Sequence, residues 1–495
     1  MKKRVFVAII IMLTVLNTSL GYCKEGDCGY EGGIASCQSL ISSKNSSQYE
    51  YQEVVFLSGK PIVMKGTVII KKKISNNIET TTYTYSIADN NKNTLKRTIS
   101  LATTLTNKGN NQITKETSIS GKPTEVVTIG GKTYTLSTYN LTKTSIVDQK
   151  PAVDYSAGSI ESKKTYTLKD NTDTITVSTK GQFYGYNHNW SNGEVEILEY
   201  TIEGKAANDN WSGSAKVKLA STLTTEFKYL KNYPEEISFD GGYIQSQNIT
   251  NKLIYQTDMP EFDKDGISTD RIVTEKGNLN INTFPNNKRL TTYDLSQIRG
   301  HWAEEDIKKL YGLEIFDEDS ILFIPNQYIT RAEFAKDLYK VMNINTQVVS
   351  SVKKTKNTKV SPQYEDVPVN DTYFEYISKV TNKNIMTGYG DGKFYPNDLV
   401  TRVQITQTFV NMLGLEGMSK DEYPVTIFKD NDNIPKWALR SVYVANKIGI
   451  IKGDNGYFNP NNYLTKAETA AVINRLIEYM TKDMAKNYSD KILKY

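Results

Sequence analysis

The C-terminal fold of this 495-residue chain is decided by Phe323-Ile-Pro-Asn-Gln-Tyr-Ile-Thr-Arg-Ala-Glu333, a stretch that occurs three times. The other two copies are Phe394-Tyr-Pro-Asn-Asp-Leu-Val-Thr-Arg-Val-Gln404 and Phe458-Asn-Pro-Asn-Asn-Tyr-Leu-Thr-Lys-Ala-Glu468. Each copy runs aromatic, any residue, Pro-Asn, three residues, Thr, cation, apolar residue, Glu or Gln. Such repetition predicts supersecondary units that bury their faces on one another.

Each copy contains the signature of a helix start. A Thr stands three residues before a Glu or Gln, which is the spacing of a capping box. We therefore expect each Thr to be a helix N-cap and each Glu or Gln to bond back to it. The predicted pairs are Thr330 with Glu333, Thr401 with Gln404, and Thr465 with Glu468.

The residues after each cap predict an amphipathic helix. Apolar side chains recur at i, i+4, i+7 and i+8, so they lie on one helix face. The aligned sets are Phe334/Ile405/Thr469, Leu338/Phe409/Ile473, Val341/Met412/Leu476 and Met342/Leu413/Ile477. Three helices with one stripe each are enough for a common core, so we expect an all-α domain.

Composition bounds the class of protein. The length leaves room for roughly two to four domains. Hydrophobic residues make up 38% of the chain and charged residues 23%, which is typical of a soluble globular protein. The net charge of +5 comes without a basic cluster beyond Lys71-Lys72-Lys73, so nucleic acid is not an expected partner.

The N-terminus predicts export. Lys2-Lys3-Arg4 precedes an apolar run from Val5 to Leu16, and Ser19-Leu20-Gly21 supplies small residues at a cleavage site. Residues 1–21 are therefore expected to be a secretory signal peptide. No later run reaches the ~20 apolar residues of a transmembrane segment.

Three cysteines, Cys23, Cys28 and Cys37, lie in residues 22–50, a Gly- and Ser-rich stretch expected to be a flexible leader. A disulfide between Cys28 and Cys37 would close a short loop in an extracellular setting and leave one thiol. Lipidation of Cys23 is disfavoured, because Tyr22 stands where a small residue is needed. The spacings match no zinc pattern, so neither a metal nor a cofactor is expected.

A period of two predicts an antiparallel β domain over residues 51–285, a meander or a sandwich. Tyr83, Tyr85 and Ile87 alternate with polar residues, and Gly130-Gly131 is expected to join two strands as a hairpin. A division near Lys150-Pro151 is left open. A polar linker is expected at about residues 286–292, so the β and helical regions are predicted to fold independently.

Sequence around the three elements resembles S-layer homology (SLH) repeats. The first copy is preceded by Gly300-His301-Trp302-Ala303-Glu304-Glu305-Asp306-Ile307, and the second by Gly388-Tyr389-Gly390-Asp391-Gly392-Lys393-Phe394-Tyr395-Pro396. The third has Trp437-Ala438 and Gly453-Asp454-Asn455-Gly456-Tyr457-Phe458-Asn459-Pro460. The resemblance divides the region into residues 294–343, 364–415 and 428–480.

The resemblance implies a pseudo-threefold domain whose second helices form a central bundle. It also implies that grooves between repeats bind an acidic secondary cell wall polymer, commonly a pyruvylated polysaccharide, on a Gram-positive-type cell wall or S-layer. Self-association on the cell surface is left open. The implied binding residues are Arg331, Arg402, Lys466, Trp302, Trp437, Asp294, Asp366 and Asp430.

Elementary electrostatics supports an anion site at the three cations. A capped helix N-terminus carries about half a positive charge, and a cation at the first helical position adds to it. The competing interpretation is that Arg331 and Arg402 pair with acidic neighbours. For Trp302 and Trp437 a core position is favoured over sugar stacking. For Asp294, Asp366 and Asp430, capping of the first helix is favoured over orienting a groove residue.

Four departures from the SLH pattern predict that the grooves differ. Lys466 replaces Arg, and Gln404 replaces Glu. Thr372, with Tyr373 beside it, occupies the position of the Trp. The loop 316–320 replaces the usual Gly-rich turn. Not all three grooves need be able to bind the polymer.

Catalysis finds little support in the sequence. The two histidines are His188 and His301, and no nucleophile elbow or His-Glu-x-x-His motif occurs. We expect a non-catalytic β domain displayed by the anchor. The alternative is an anchored enzyme acting on glycans, which a deep cleft with two carboxyls ~5–10 Å apart would favour.

An incomplete calcium loop also occurs in the β region. Asp263, Asp265 and Asp270 stand near one another, but Ile272 occupies the position that requires a bidentate Glu. A true EF-hand is excluded, and weak calcium binding is left open.

Overall fold

The computed structural model describes residues 32–486, apart from gaps at 44–45, 76–77, 110, 170–172, 207–208, 232–240, 265, 343–361 and 485. The predicted signal peptide, residues 1–21, lies outside the described residues. So do Cys23, Cys28 and the side chain of Cys37, and the disulfide therefore stays a prediction.

The N-terminal region is one antiparallel sheet of fifteen strands. The strands are β1 (Gly33–Ser43), β2 (Ser46–Val55), β3 (Ile62–Ser75), β4 (Ile78–Ala88), β5 (Thr94–Gly109), β6 (Gln112–Ile119), β7 (Thr124–Ile129), β8 (Lys132–Gln149), β9 (Asp154–Leu168), β10 (Thr174–Asn187), β11 (Asn192–Lys205), β12 (Asn210–Leu230), β13 (Gly242–Phe262), β14 (Ser268–Asn282) and β15 (Asn286–Arg289). This confirms the predicted antiparallel all-β region, and Tyr83, Tyr85 and Ile87 are buried in it.

The strand order is that of a meander. Neighbours in the sheet follow the chain from β1 to β14, except that β6 and β7 both pair with β5 and β8, and β15 pairs with β13. Gln149 and Asp154 are paired across the β8–β9 turn, so the sheet is not divided near Lys150-Pro151. The sheet curls until β1 lies against β13 and β14 around one apolar core.

The predicted flexible leader is wrong for the part of residues 22–50 that the structure describes. Strand β1 begins at Gly33, and Ile34 and Ala35 are buried in the same core as Tyr51. A Cβ at Gly33 would lie 1.9 Å from the Tyr51 hydroxyl oxygen. Glycine here therefore permits close packing, whereas its usual association with flexible chain suggested a leader.

The C-terminal region contains paired helices. They are α1 (Glu304–Gly312), α2 (Arg331–Val341), α3 (Phe374–Asn382), α4 (Arg402–Leu413), α5 (Lys436–Lys447) and α6 (Lys466–Glu478), which continues as a π-helical turn (Tyr479–Asp483). The predicted stripes are buried, from Phe334 and Ile405 to Leu476 and Ile477. Helix α1 packs on α6, α3 on α2, and α5 on α4.

A closed ring of backbone hydrogen bonds joins the three copies just before their second helices. Ile329 N donates to Leu464 O (3.0 Å), Leu464 N to Val400 O (3.2 Å), and Val400 N to Ile329 O (3.2 Å). Each copy therefore contacts both others, and the N-termini of α2, α4 and α6 are gathered at one end of the bundle.

The β domain covers the opposite end of the bundle. Each second helix ends in carbonyl groups that have no partner within the helix, and the β domain donates to one at each helix end. The bonds are Trp190 Nε1 to Val341 O (2.8 Å), Ala152 N to Met412 O (3.0 Å) and Ser191 Oγ to Met480 O (2.6 Å). Trp190 and Val153 also belong to the helical core.

The predicted boundary at residue 286 is not a structural one. Where a polar linker was expected, β15 pairs with β13, and Leu290 packs against Gly312 of α1. Because the two regions share a core through Trp190, a cut at this point would expose apolar side chains on both sides. Independent folding of the two halves stays a prediction.

Candidate functional site

Each second helix begins in a capping arrangement. Glu333 N donates to Thr330 Oγ1 (3.3 Å), and Thr330 N donates back to Glu333 Oε2 (2.9 Å). Thr465 and Glu468 exchange the same two bonds, at 3.2 and 2.9 Å. In the second copy, Thr401 N donates to Gln404 Oε1 (3.0 Å). The cation after each Thr is thereby held at the first helical position.

The backbone of each cation bonds to a different copy. Arg331 N donates to Asp398 O (2.8 Å), Arg402 N to Asn462 O (2.9 Å), and Lys466 N to Gln327 O (2.8 Å). Each cation therefore lies at a seam between two copies. We name the seams groove A (Arg331 with loop 387–394), groove B (Arg402 with loop 452–458) and groove C (Lys466 with loop 316–323).

In groove A the cation is buried and bonds to backbone carbonyl groups. Arg331 is 4% exposed, and it donates from Nε to Phe394 O (2.9 Å) and from Nη2 to Thr387 O (2.7 Å). Its guanidinium lies 4.6 Å from the Phe394 ring centroid and 4.7 Å from that of Tyr389. Gln404, which donates to the Tyr389 hydroxyl (3.2 Å), brings an amide where Glu would bring a negative charge.

In groove B the cation is more open. Arg402 is half-buried and donates from Nη2 to Lys452 O (2.5 Å), while its buried Nε makes no hydrogen bond within the described chain. Burial lowers the pKa of Arg402, and the negative charge of Glu468 opposes that shift. Gly453 occupies the loop position that Tyr389 fills in groove A, so no side chain covers the guanidinium from there.

In groove C the cation is already neutralised. Lys466 is 5% exposed, and its Nζ lies 2.7 Å from Glu318 Oε2 and 3.2 Å from Glu333 Oε1. Burial would lower the pKa of Lys466, but the two carboxylates outweigh burial and raise it. Lys466 therefore pairs with acidic neighbours, which is the alternative that the sequence analysis raised for Arg331 and Arg402.

Two of the three candidate aspartates hold the groove loops. Each accepts two backbone N–H bonds from the start of a Phe-x-Pro-Asn element, so neither caps a first helix, and the favoured capping role is wrong. The bonds to Asp366 come from Phe394 N (2.8 Å) and Tyr395 N (2.7 Å), and those to Asp430 from Phe458 N (2.7 Å) and Asn459 N (2.8 Å).

These bonds hold a strained backbone. Tyr395 has φ +57° and Asn459 φ +55°, a left-handed conformation that is costly for a tyrosine. The first copy lacks this feature: Asp294 accepts from Ser296 N (3.1 Å) in a local turn. Asp294 therefore does not hold its groove loop as Asp366 and Asp430 do.

Both candidate tryptophans are exposed, Trp302 by 63% and Trp437 by 55%, so the favoured core position is wrong. Trp437 lies in the first turn of α5, which packs on α4, and Trp302 lies in the turn just before α1, which packs on α6. In the second copy, Tyr373 stands just before the first helix, α3, and its ring centroid lies 5.9 Å from Lys336 Nζ on α2. Exposed indole faces are available for contact with a ligand.

Sequence reasoning missed the loop position that distinguishes the grooves. It lies five residues before the Phe of each element and holds Glu318, Tyr389 or Gly453. Glu318 pairs with Lys466, and Tyr389 stacks on Arg331. Gly453 has no side chain and leaves Arg402 uncovered. An alignment of the three copies on Phe323, Phe394 and Phe458 contains this signal, but the direction of the side chain comes only from the fold.

The β domain contains a buried ionic cluster beside a cavity of about 50 Å³. Arg97 donates from Nη1 and Nη2 to Glu53 (2.9 Å each) and from Nη2 to Glu125 (2.7 Å), and Lys164 donates to Glu125 (2.9 Å). Burial raises the pKa of Glu125, but Arg97 and Lys164 outweigh it and lower the pKa to about 2. A general acid of a glycosidase needs a raised pKa, so this carboxyl is not suited to that role.

His188 is also engaged structurally. Its Nδ1 accepts from Trp190 N and Ser191 N (3.2 Å each), and burial lowers its pKa to about 3. Ser191 Oγ lies 3.3 Å from His188 Nε2 but donates its proton to Met480 O. This Ser–His contact belongs to the domain interface.

Neither metal nor membrane-spanning features appear in the described part of the chain. Within it, no group of three or more His, Cys, Asp or Glu side chains could hold a metal ion. In the same residues, no helix is long and apolar enough to cross a membrane.

Comparison with known proteins matches the C-terminal region. The model of the S-layer homology domain matches residues 295–335, 363–405 and 427–470. The chain is 31% identical to an amylopullulanase of Thermoanaerobacterium thermosulfurigenes over 37% of its length, and 29% identical to exoglucanase XynX of Acetivibrio thermocellus over 41%. It is 26% identical to S-layer protein sap of Bacillus anthracis over 39%.

These matches cover 9%, 18% and 22% of the three relatives, so the chain spans less than a quarter of each. SLH domains bind cell wall polymers, and together with the S-layer relatives they indicate a location at the cell wall or S-layer. The C-terminal region of this chain consists of three S-layer homology domains.

Proposed function

We propose that this protein is held non-covalently on a Gram-positive-type cell wall by a pseudo-threefold SLH domain that binds an acidic secondary cell wall polymer. The observation that carries the proposal is the ring of three capped helix N-termini, each with a cation at the seam between two copies. The partial positive charge of the helix N-terminus and the charge of the cation add at the same place, which makes each seam a receptor for a carboxylate.

The three grooves contribute unequally in this proposal. Groove B is the primary site, because the Arg402 guanidinium is half-buried and its Nε has no hydrogen bond partner within the described chain. Groove A contributes a positive charge that lies beneath Tyr389, whose ring must move aside for direct contact. Groove C is closed by Glu318 and Glu333.

We also propose that the β domain is displayed without catalytic activity. Supporting observations are the ion-paired Glu53 and Glu125, the small cavity beside them and the engaged Ser191–His188 contact. The relatives with enzyme names match this chain only in its SLH region. A match in that region is no evidence for catalysis by the β domain. Self-association of the displayed domain is a further part of the proposal.

The test is a titration of the full chain with purified acidic wall polysaccharide, and with the same polysaccharide after removal of its acidic substituents. We expect saturable binding to the first and a loss of at least about tenfold in affinity for the second, as one charge-assisted pair is removed. Equal binding to both would show that the polymer is not recognised through its acid.

A further inference from the structure

The ring of backbone bonds between the copies has an outer face. The backbone there is extended, so side chains alternate between the core and the outside. The ring residues Ile329, Val400 and Leu464 are buried. The residues before them in the chain are Tyr328, Leu399 and Tyr463, and both tyrosines are 49% exposed.

Tyr328 and Tyr463 contact each other on this face. Their ring centroids are 6.0 Å apart, and the ring planes are inclined by 66°. No hydrogen bond from either hydroxyl is made within the described residues. The pair therefore presents two aromatic rings and two hydroxyl groups at the end of the bundle that the β domain leaves open.

The tyrosine pair is continuous with the grooves. Tyr463 forms a β-bridge with Thr401, the residue before Arg402, and Tyr328 forms one with Thr465, the residue before Lys466. The first bridge places the backbone of Tyr463 beside the N-cap of the helix that begins at Arg402.

We propose that Tyr463 and Tyr328 form a stacking site for a neutral sugar of the wall polymer, next to the acidic unit held at Arg402. This inference rests on the proposed function and deepens it. A sugar ring combines an apolar C–H face with hydroxyls, which matches aromatic faces that carry phenol groups. A neutral unit is favoured at this face because the exposed Asp398 lies beside Leu399 and would repel a second carboxylate.

The test compares binding of the full chain to the acidic wall polysaccharide and to its isolated acidic monosaccharide. The variants are Tyr463→Ala, Tyr328→Ala, their combination and Tyr463→Phe. The matched control is Tyr423→Ala, which removes a tyrosine that is 55% exposed but lies outside the ring. We expect each ring removed to lower polymer affinity roughly three- to tenfold, with monosaccharide affinity unchanged and Tyr463→Phe close to the parent.

The outcomes separate this inference from the proposed function. If the double variant binds polymer like the parent while Arg402→Ala does not, the stacking site is wrong and the anion site stands. If the parent binds neither ligand, the proposed function fails and the stacking site falls with it. If the double variant changes only the oligomeric state, the face is a contact between copies of the chain and the inference is overturned.

Discussion

Lys466 Nζ lies 2.7 Å from Glu318 Oε2, so a carboxylate of the first SLH copy forms an ion pair with the cation of the third. Arg331 and Arg402 make their hydrogen bonds in the corresponding grooves to backbone carbonyls. Glu318 thus stands where a ligand carboxylate would be expected, and it distinguishes groove C from the other two.

We predict that Glu318→Gln opens groove C. Removal of the negative charge leaves Lys466 with Glu333 as its remaining carboxylate partner, so polymer affinity should rise several-fold through a third contact. Stability should fall by at most about 1 kcal/mol, because Glu318 is partly exposed to solvent. Polymer titration and thermal melts measure the two effects.

The control for this prediction is Glu305→Gln, which removes an exposed carboxylate elsewhere in the same copy. If both variants raise affinity equally, the gain reflects net charge and not groove C. Adding Lys466→Ala to Glu318→Gln should abolish the gain.

The two arginines are predicted to respond differently to substitution. Arg402→Ala should weaken polymer binding about ten- to a hundredfold, the value of one charge-assisted pair, with little change in melting temperature. Arg331→Ala should also lower stability, by roughly 2–3 kcal/mol, because it removes buried bonds to Phe394 O and Thr387 O. Parallel titrations and denaturant unfolding separate the effects.

Arg402→Lys serves as the conservative control. It keeps the charge but loses the planar donor geometry, so its affinity should lie between those of the parent and of Arg402→Ala. Parent-like binding by Arg402→Ala would exclude groove B as the acidic subsite.

Trp190 is predicted to stabilise both domains. It fills the end of the helical bundle and donates to Val341 O, so Trp190→Ala should cost about 3–5 kcal/mol in a global unfolding measurement. The control Trp437→Ala removes an indole that is 55% exposed and should change stability by no more than about 0.5 kcal/mol. Separate unfolding transitions for the β and helical regions, unaffected by Trp190→Ala, would contradict a shared core.

The buried ionic cluster predicts acid sensitivity of the β domain. Since Glu125 has a folded-state pKa of about 2 against an ordinary value of 4.5, it contributes roughly 3 kcal/mol of stability above pH 4.5. That contribution is lost as the pH falls from 4.5 toward 2. Glu125→Gln should lower stability at pH 7 and flatten the pH dependence over this range, as measured by urea unfolding at several pH values. An unchanged pH profile would show that Glu125 is not the titrating group.

The local parts of the SLH region were predictable from the sequence. The capping spacing of Thr330 and Glu333 and the stripe behind it depend on residues within one helix, where the 3.6-residue period alone selects the buried face. The same locality explains the hairpin at Gly130-Gly131, whose strands are adjacent in the chain.

By itself, then, the sequence determined the three capped second helices, the three cations at their N-termini and the antiparallel β character of the region from about residue 51. Only the tertiary structure decided that Glu318 meets Lys466, which lies 148 residues away, and that Trp190 closes the bundle from another domain. These contacts depend on how distant surfaces pack, and packing is a property of the whole fold that no local period encodes. The prediction of a flexible leader was wrong for the same reason. A glycine such as Gly33 is typical of flexible chain, and only the fold places the ring of Tyr51 against it.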